Sequence, residues 1–183
     1  MIKEYPKKTG NGIVIKQDTS ENQAKSIFLG IGSNLGNKRK NIEKAKFFLI
    51  ENNIKILKSS NYYESLSWPN PKKPKFLNIV ISVSTKLPPF DLLKMCKKIE
   101  KNLGRKVRSK NAPRECDIDI LDYQKKKMDL LICLPHPRMH KRNFVLLPLF
   151  ELNKAWKHPI SKLDIKKLIL SLPNRDITSI KQI

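Results

Sequence analysis

From Pro113 to Ile120 the chain reads Pro-Arg-Glu-Cys-Asp-Ile-Asp-Ile, so every second residue after the arginine is a carboxylate. A period of two fits one regular structure, a β-strand, whose alternate side chains face opposite ways. The spacing predicts Glu115, Asp117 and Asp119 on one side and Cys116, Ile118 and Ile120 on the other. The apolar side must pack. The acidic side has two readings on these residues alone. It is a solvated face, or a pair of hard oxygen ligands on a rigid strand, which suits Mg2+ shared with substrate phosphates.

Around this strand the pattern alternates between strand and helix periods. Ser26 to Ile31 is an apolar run suited to a central strand, and Gly32-Ser33-Asn34-Leu35-Gly36 follows as a turn. Asn37 is placed to cap a helix with Ile42, Ala45, Phe48 and Leu49 on one stripe. A second strand is expected over 54–63, then a proline-rich loop from Trp68 to Pro74, then a third strand from Phe76 to Val83. Pro88-Pro89 open a second helix with Leu92, Cys96, Ile99 and Leu103 on one face, and Gly104 ends it. The arginine loop 105–114 leads into the acidic strand, and Met128 to Leu134 is expected to be that strand's hairpin partner. Pro135-His136-Pro137 breaks the pattern before two short helices, over 143–153 and 161–171. The order predicts an α+β chain with a ferredoxin-like β-α-β-β-α-β core, an added hairpin and C-terminal helices. Residues 25–183 are expected to form a single domain. Residues 1–24 form a polar, lysine-rich extension, either a weak hairpin around Asn11-Gly12 or a disordered segment.

Composition narrows the function. With 39% hydrophobic and 30% charged residues, 183 residues can bury a core. No apolar run approaches the roughly 20 residues of a membrane span. The first residues lack the apolar stretch of a signal peptide, and Cys96, Cys116 and Cys133 are too widely spaced for a disulfide framework or a zinc site. The expectation is a soluble, cytoplasmic protein without a membrane partner. A net charge of +22 invites a nucleic-acid reading, but its distribution argues otherwise. Lysines are scattered, whereas Arg105, Arg108, Arg114, Arg138 and Arg142 flank the acidic strand. Guanidinium forks clustered around carboxylates point to a polyphosphate ligand. The aromatic strand of single-stranded RNA binders is not found, so no nucleic-acid partner is expected. A nucleotidyl or glycosyl transferase using the same Asp-x-Asp remains a rival on these residues.

Several segments occur in a fixed order: Gly32-Ser33-Asn34-Leu35-Gly36, Phe76-Leu77-Asn78, Gly104-Arg105, Pro113-Arg114 with Asp117-x-Asp119, and Pro135-His136 with Arg142-x-Phe144 and Pro148-Leu149. Together they resemble the 6-hydroxymethyl-7,8-dihydropterin pyrophosphokinase family over about residues 26–170. The resemblance implies a diphosphotransferase of folate biosynthesis that moves the β,γ-diphosphate of ATP to a reduced pterin and releases AMP. The substrates it implies are small molecules, ATP and the reduced hydroxymethylpterin, and a monomer is expected. Asp117 and Asp119 would bind two Mg2+ ions, and Arg105 and Arg114 would join them as catalytic groups. ATP would be bound by Glu100, Arg105, Arg108, Arg114, His136 and Arg142, with the loop between Arg105 and Arg114 as a lid. The pterin would lie between Phe76 and Phe144, its edge read by Asn78, beside Ser65, Leu66 and Trp68. On sequence alone both phenylalanines also fit ordinary core packing. Glu115-Cys116 stands where the family usually has Thr-Leu or Thr-Ile, which puts a third carboxylate on the expected metal face. Lid residues 107–112 lack the aromatic many members carry, and Pro137 stands where an aromatic is often found.

Overall fold

The computed structural model describes residues 26–67, 70–106, 109 and 111–183. The expectations for residues 1–24 therefore lie outside the described residues, as do those for Trp68 and Arg108. The strands are β1 (Ile27–Ser33), β2 (Lys55–Ser59), β3 (Tyr63–Ser65), β4 (Phe76–Ser84), β5 (Asp117–Tyr123) and β6 (Lys181–Gln182). The helices are α1 (Lys38–Glu51), α2 (Pro89–Asn102), α3 (Asn143–Leu152), α4 (Ile165–Leu170) and α5 (Asn174–Thr178), with a 3-10 turn at Met139–Lys141. The strands form one sheet in the order β5-β1-β4-β3-β6, with β2 also on β4 and every pairing antiparallel. The architecture is mixed α and β on an antiparallel sheet, as expected at that level.

Alternation along the strands builds a core on each face. Ile27, Leu29 and Ile31 of β1, with Ile79 and Ile81 of β4 and Ile118 and Ile120 of β5, pack against α1 and α2. Those helices contribute Ile42, Ala45, Leu49, Leu92, Cys96 and Ile99. Phe28 and Val80 face the other way and meet α3 and α4 through Val145, Leu149, Ile165 and Leu168. Local signals set the helix ends. The Asn37 carboxamide oxygen accepts the Lys40 amide proton at 3.0 Å. At the end of α2, Gly104 adopts φ +93° and donates to Lys101 O, while the Arg105 amide donates to Glu100 O at 3.1 Å. This left-handed cap turns the chain so that Arg105 leaves the helix beside Glu100.

Four expectations change. The strand expected over 54–63 is two short ones, β2 and β3, which pair with successive stretches of β4. At the break, the Ser60 hydroxyl accepts the Val80 amide proton at 3.0 Å, and a side chain replaces a ladder bond. The acidic strand begins only at Asp117, so Glu115 sits in the bend before it and is not on the carboxylate row. Met128 to Leu134 does not pair with β5. It closes on itself through a Met128–Leu134 bridge that leaves Leu130 and Leu131 exposed. Beyond the two expected tail helices, α5 and β6 extend the chain back to β3. Among the described residues no helix is long and apolar enough to cross a membrane.

Candidate active site

The cleft starts from missing side chains. On the α3 side of β1 the alternating positions are Phe28, Gly30 and Gly32, so the middle of the sheet is bare beyond Phe28. The register sets Gly32 between Asn78 of β4 and Asp117 of β5, and Gly30 between Val80 and Asp119. A Cβ on Gly32 would stand 2.8 Å from Asn78 Oδ1 and 3.4 Å from Phe76 Cδ1. The result is a cavity of about 390 Å3, floored by the two glycines and walled by Phe76, Asn78, Arg105, Arg114, Asp117, Asp119, Arg142 and Phe144. That volume suits a small ligand held by a few convergent polar groups.

One wall is ionic. Arg105 Nη1 lies 2.5 Å from Asp117 Oδ1 and 2.6 Å from Glu100 Oε2, and Arg114 Nη2 lies 2.7 Å from Asp117 Oδ2. Burial opposes ionisation of Asp117, but Arg114, Arg105 and Lys97 outweigh it and hold its carboxyl below the usual range. Asp119 Oδ2 lies 3.2 Å from Arg142 Nη1 and 3.8 Å from His136 Nε2. Burial, the largest influence, keeps His136 below the ordinary histidine value although Asp119 pulls the other way. Its Nδ1 accepts the Arg138 amide proton at 3.1 Å, which leaves the ring proton on Nε2, toward Asp119.

The opposite wall is flat and polar at its base. Asn78, only 6% exposed, donates through Nδ2 to Ser65 Oγ at 2.9 Å, which turns Oδ1 toward Gly32. Phe76 and Phe144 are half-buried and line the cleft, with Phe144 also packed against the core on the α3 side, and Leu66 joins them in the lining. Each ring carries a guanidinium, Arg114 over Phe76 at 5.3 Å and Arg142 over Phe144 at 5.5 Å.

Glu100 is 2% exposed and does not line the cavity. Its Oε1 accepts from the Ile118 amide at 2.7 Å and from Lys97 Nζ at 2.8 Å, which pins β5 between the two aspartates. Helical spacing carried the signal for this inward turn, since Glu100 follows Cys96 by four residues on the buried stripe of α2. Sequence reasoning missed Asn34. That side chain accepts the Arg114 amide proton at 2.8 Å and donates to Pro74 O at 3.1 Å, and its own amide donates to Arg114 O. One asparagine thus ties the turn after β1, the proline-rich loop and the base of the arginine loop together. The motif was legible, but Gly32 and Ser33 prolong β1 where a turn was expected, and the partners of Asn34 were not legible.

A sheet-borne cleft with paired aspartates on one side, arginines over them and two rings opposite defines a site for an anionic ligand that also carries a flat group. Residues 28–154 match the family described as 7,8-dihydro-6-hydroxymethylpterin-pyrophosphokinase. The "2-amino-4-hydroxy-6-hydroxymethyldihydropteridine pyrophosphokinase" of Aquifex aeolicus is 41% identical over 143 residues, 78% of this chain and 89% of that one. A Dictyostelium discoideum "Folic acid synthesis protein FOL1" is 40% identical over 81% of this chain, which spans 22% of that longer protein. Among solved structures, a Plasmodium falciparum HPPK-DHPS with pteroate superposes with a TM-score of 0.70 at 16% identity, over 86% of this chain and 45% of that one. This last likeness concerns the fold. The chain belongs to the 7,8-dihydro-6-hydroxymethylpterin-pyrophosphokinase family.

Proposed function

We infer that this chain transfers diphosphate from ATP to 6-hydroxymethyl-7,8-dihydropterin, giving AMP and the pterin methyl diphosphate, a step of tetrahydrofolate biosynthesis. The observation that carries the reading is the cleft, where Asp117, Asp119 and a cationic set face Asn78, Phe76 and Phe144 across a glycine floor.

Fit to Mg2+ is supported by the donor set. Asp117 and Asp119 are hard oxygen ligands from alternate positions of one strand, and among the described residues Arg114 Nε is a buried donor with no hydrogen-bond partner. Asp117 and Asp119 would hold the ions, two by family resemblance, with substrate and water oxygens completing the shell. When bound, the metal would neutralise phosphate charge and polarise the attacking hydroxyl.

The chain's own groups do the rest. Arg105, Arg114 and Arg142 bind and orient the triphosphate, and their fixed donors favour the charge that develops during in-line transfer. His136 offers Nε2–H on the same side. Phe76 and Phe144 hold the pterin plane, while Asn78 reads its edge with backbone help from Ser65 and Leu66. Glu100 serves this reading indirectly, through Arg105 and the Ile118 amide. Arg108 and Trp68 stay in the proposal as lid and pterin-side contacts. We also read the fold as ferredoxin-like, supported by a fourth-first-third-second strand order once β2 and β3 are taken as one broken strand. A single domain over 25–183, acting as a cytoplasmic monomer on small molecules, completes the proposal.

The test is product analysis. With ATP, Mg2+ and reduced hydroxymethylpterin the chain should accumulate AMP, whereas a kinase would yield ADP and a nucleotidyl transferase pyrophosphate. Asp117→Ala and Asp119→Ala should each abolish AMP release with the fold intact by circular dichroism. Full activity in either variant would remove the metal assignment.

A further inference from the structure

We propose that Arg105 and Arg114 act as place-holders on Asp117, so that a divalent cation enters this cleft together with a polyphosphate and not ahead of it. The inference rests on the diphosphotransfer reading and deepens it. Both oxygens of Asp117 are already engaged, Oδ1 by Arg105 at 2.5 Å and Oδ2 by Arg114 at 2.7 Å. Asp119 in turn has Arg142 at 3.2 Å. A bare cation would have to displace a guanidinium and then sit beside it, and like-charge repulsion opposes both. A triphosphate changes that balance. It offers the arginines new acceptors of better complementarity, which releases the carboxylate oxygens in the same event that brings the cation.

The two arginines differ in how they can leave. Arg105 Nη1 also holds Glu100 Oε2 at 2.6 Å, and Glu100 is itself fixed by the Ile118 amide and Lys97. Arg105 therefore keeps a partner when it gives up Asp117. Among the described residues Arg114 has no second carboxylate in its ion pairs, and its Nε is buried without a hydrogen-bond partner. Its backbone is held independently, since both its N–H and its C=O are bonded to Asn34. The side chain can swing from Asp117 to phosphate while its anchor stays still. Arg114 is the exchanging group, and Glu100 is the positioning residue that retains Arg105.

The consequence has an unusual sign. Removing a cationic side chain that helps bind nucleotide should improve binding of the bare cation. The probe is Mn2+, with free ion counted by electron paramagnetic resonance on the full chain, with and without ATP. The wild-type chain should bind Mn2+ weakly alone and at least about tenfold more tightly with ATP present, beyond what ATP alone captures. Arg114→Ala should bind Mn2+ alone at least about tenfold more tightly than wild type, and adding Asp117→Asn should erase that gain. Arg105→Gln, which keeps a donor for Glu100, repeats the test should Arg114→Ala fail to fold. Tight Mn2+ binding by the nucleotide-free wild type, or equal affinity in wild type and the arginine variants, would overturn the inference. AMP release by wild type is measured alongside. AMP formed together with those results sinks the exchange alone, and absence of AMP sinks the diphosphotransfer reading and the exchange with it.

Discussion

Gly32 carries no functional group, yet a methyl group there would stand 2.8 Å from Asn78 Oδ1, closer than real Cβ contacts allow. Either Asn78 or the Phe76 ring has to give way, and Asn78 is tied to Ser65 from behind. Gly32→Ala should therefore raise KM for the reduced pterin about tenfold or more while leaving KM for ATP close to its original value. Steady-state kinetics with each substrate varied in turn would check this. An unchanged pterin KM would remove Asn78 and Phe76 from the ring site. The motif containing Gly32 was expected as a turn, but Gly32 and Ser33 end strand β1, and the reason for glycine was not legible. It lies across the sheet, at positions 76 and 78, and no local pattern reports a cross-strand neighbour.

At the scale of elements, β5 carries a bulge that the alternating pattern concealed. The register shifts between Phe28 and Leu29, so Ile120 pairs with Leu29 and Asp122 with Phe28. Leu121 and Asp122 both reach the α3 side, where Asp122 Oδ2 accepts the Trp156 indole proton at 2.8 Å and Oδ1 accepts the Lys125 amide proton at 2.8 Å. Trp156→Phe should cost about 1–3 kcal/mol, because it leaves a buried oxygen without its donor. Burial raises the Asp122 pKa even though both donors lower it. Between the ordinary carboxylate value and that raised value, the native state keeps a proton the unfolded chain has released. The contribution of Asp122 to stability therefore grows as pH falls through that window. Asp122→Asn should flatten this part of the profile. Urea unfolding of wild type and variant from about pH 7 to pH 4 would measure it, and parallel profiles would mean that Asp122 titrates as it does in the unfolded chain.

Across the whole molecule, the two cores differ from the surface in what reagents can reach. Cys96 and Cys116 are fully buried in the layer between the sheet and helices α1 and α2, whereas Cys133 is exposed. Burial pushes the Cys96 thiol up to about 12 and raises Cys116 as well. An aromatic disulfide reagent should modify Cys133 promptly in the native protein, and the other two only as fast as the fold opens. Peptide mapping after timed quenching would assign the sites. Prompt modification of Cys96 or Cys116 would show that α2 separates from β5 without global unfolding. The same core explains why the helix faces were readable. Ile42, Ala45 and Leu49, like Leu92, Cys96 and Ile99, repeat at helical spacing, and burial on one stripe follows from that repeat.

Periodicity in the chain determined the helices α1 and α2 and the central strands β1, β4 and β5, which of their residues faced inward, and that Asp117 and Asp119 share one side of a strand. These are consequences of the next few residues along the backbone. Tertiary structure alone decided that Glu115 falls before the strand, that the second strand breaks into two, and that 128–134 closes on itself. It also decided which carboxylates the arginines grip and which glycines floor the cleft. Those outcomes depend on register and on contacts between residues far apart in sequence, such as Asn34 with Arg114 and Gly32 with Asn78. A local pattern carries the direction of a side chain, and only the assembled sheet supplies what it meets.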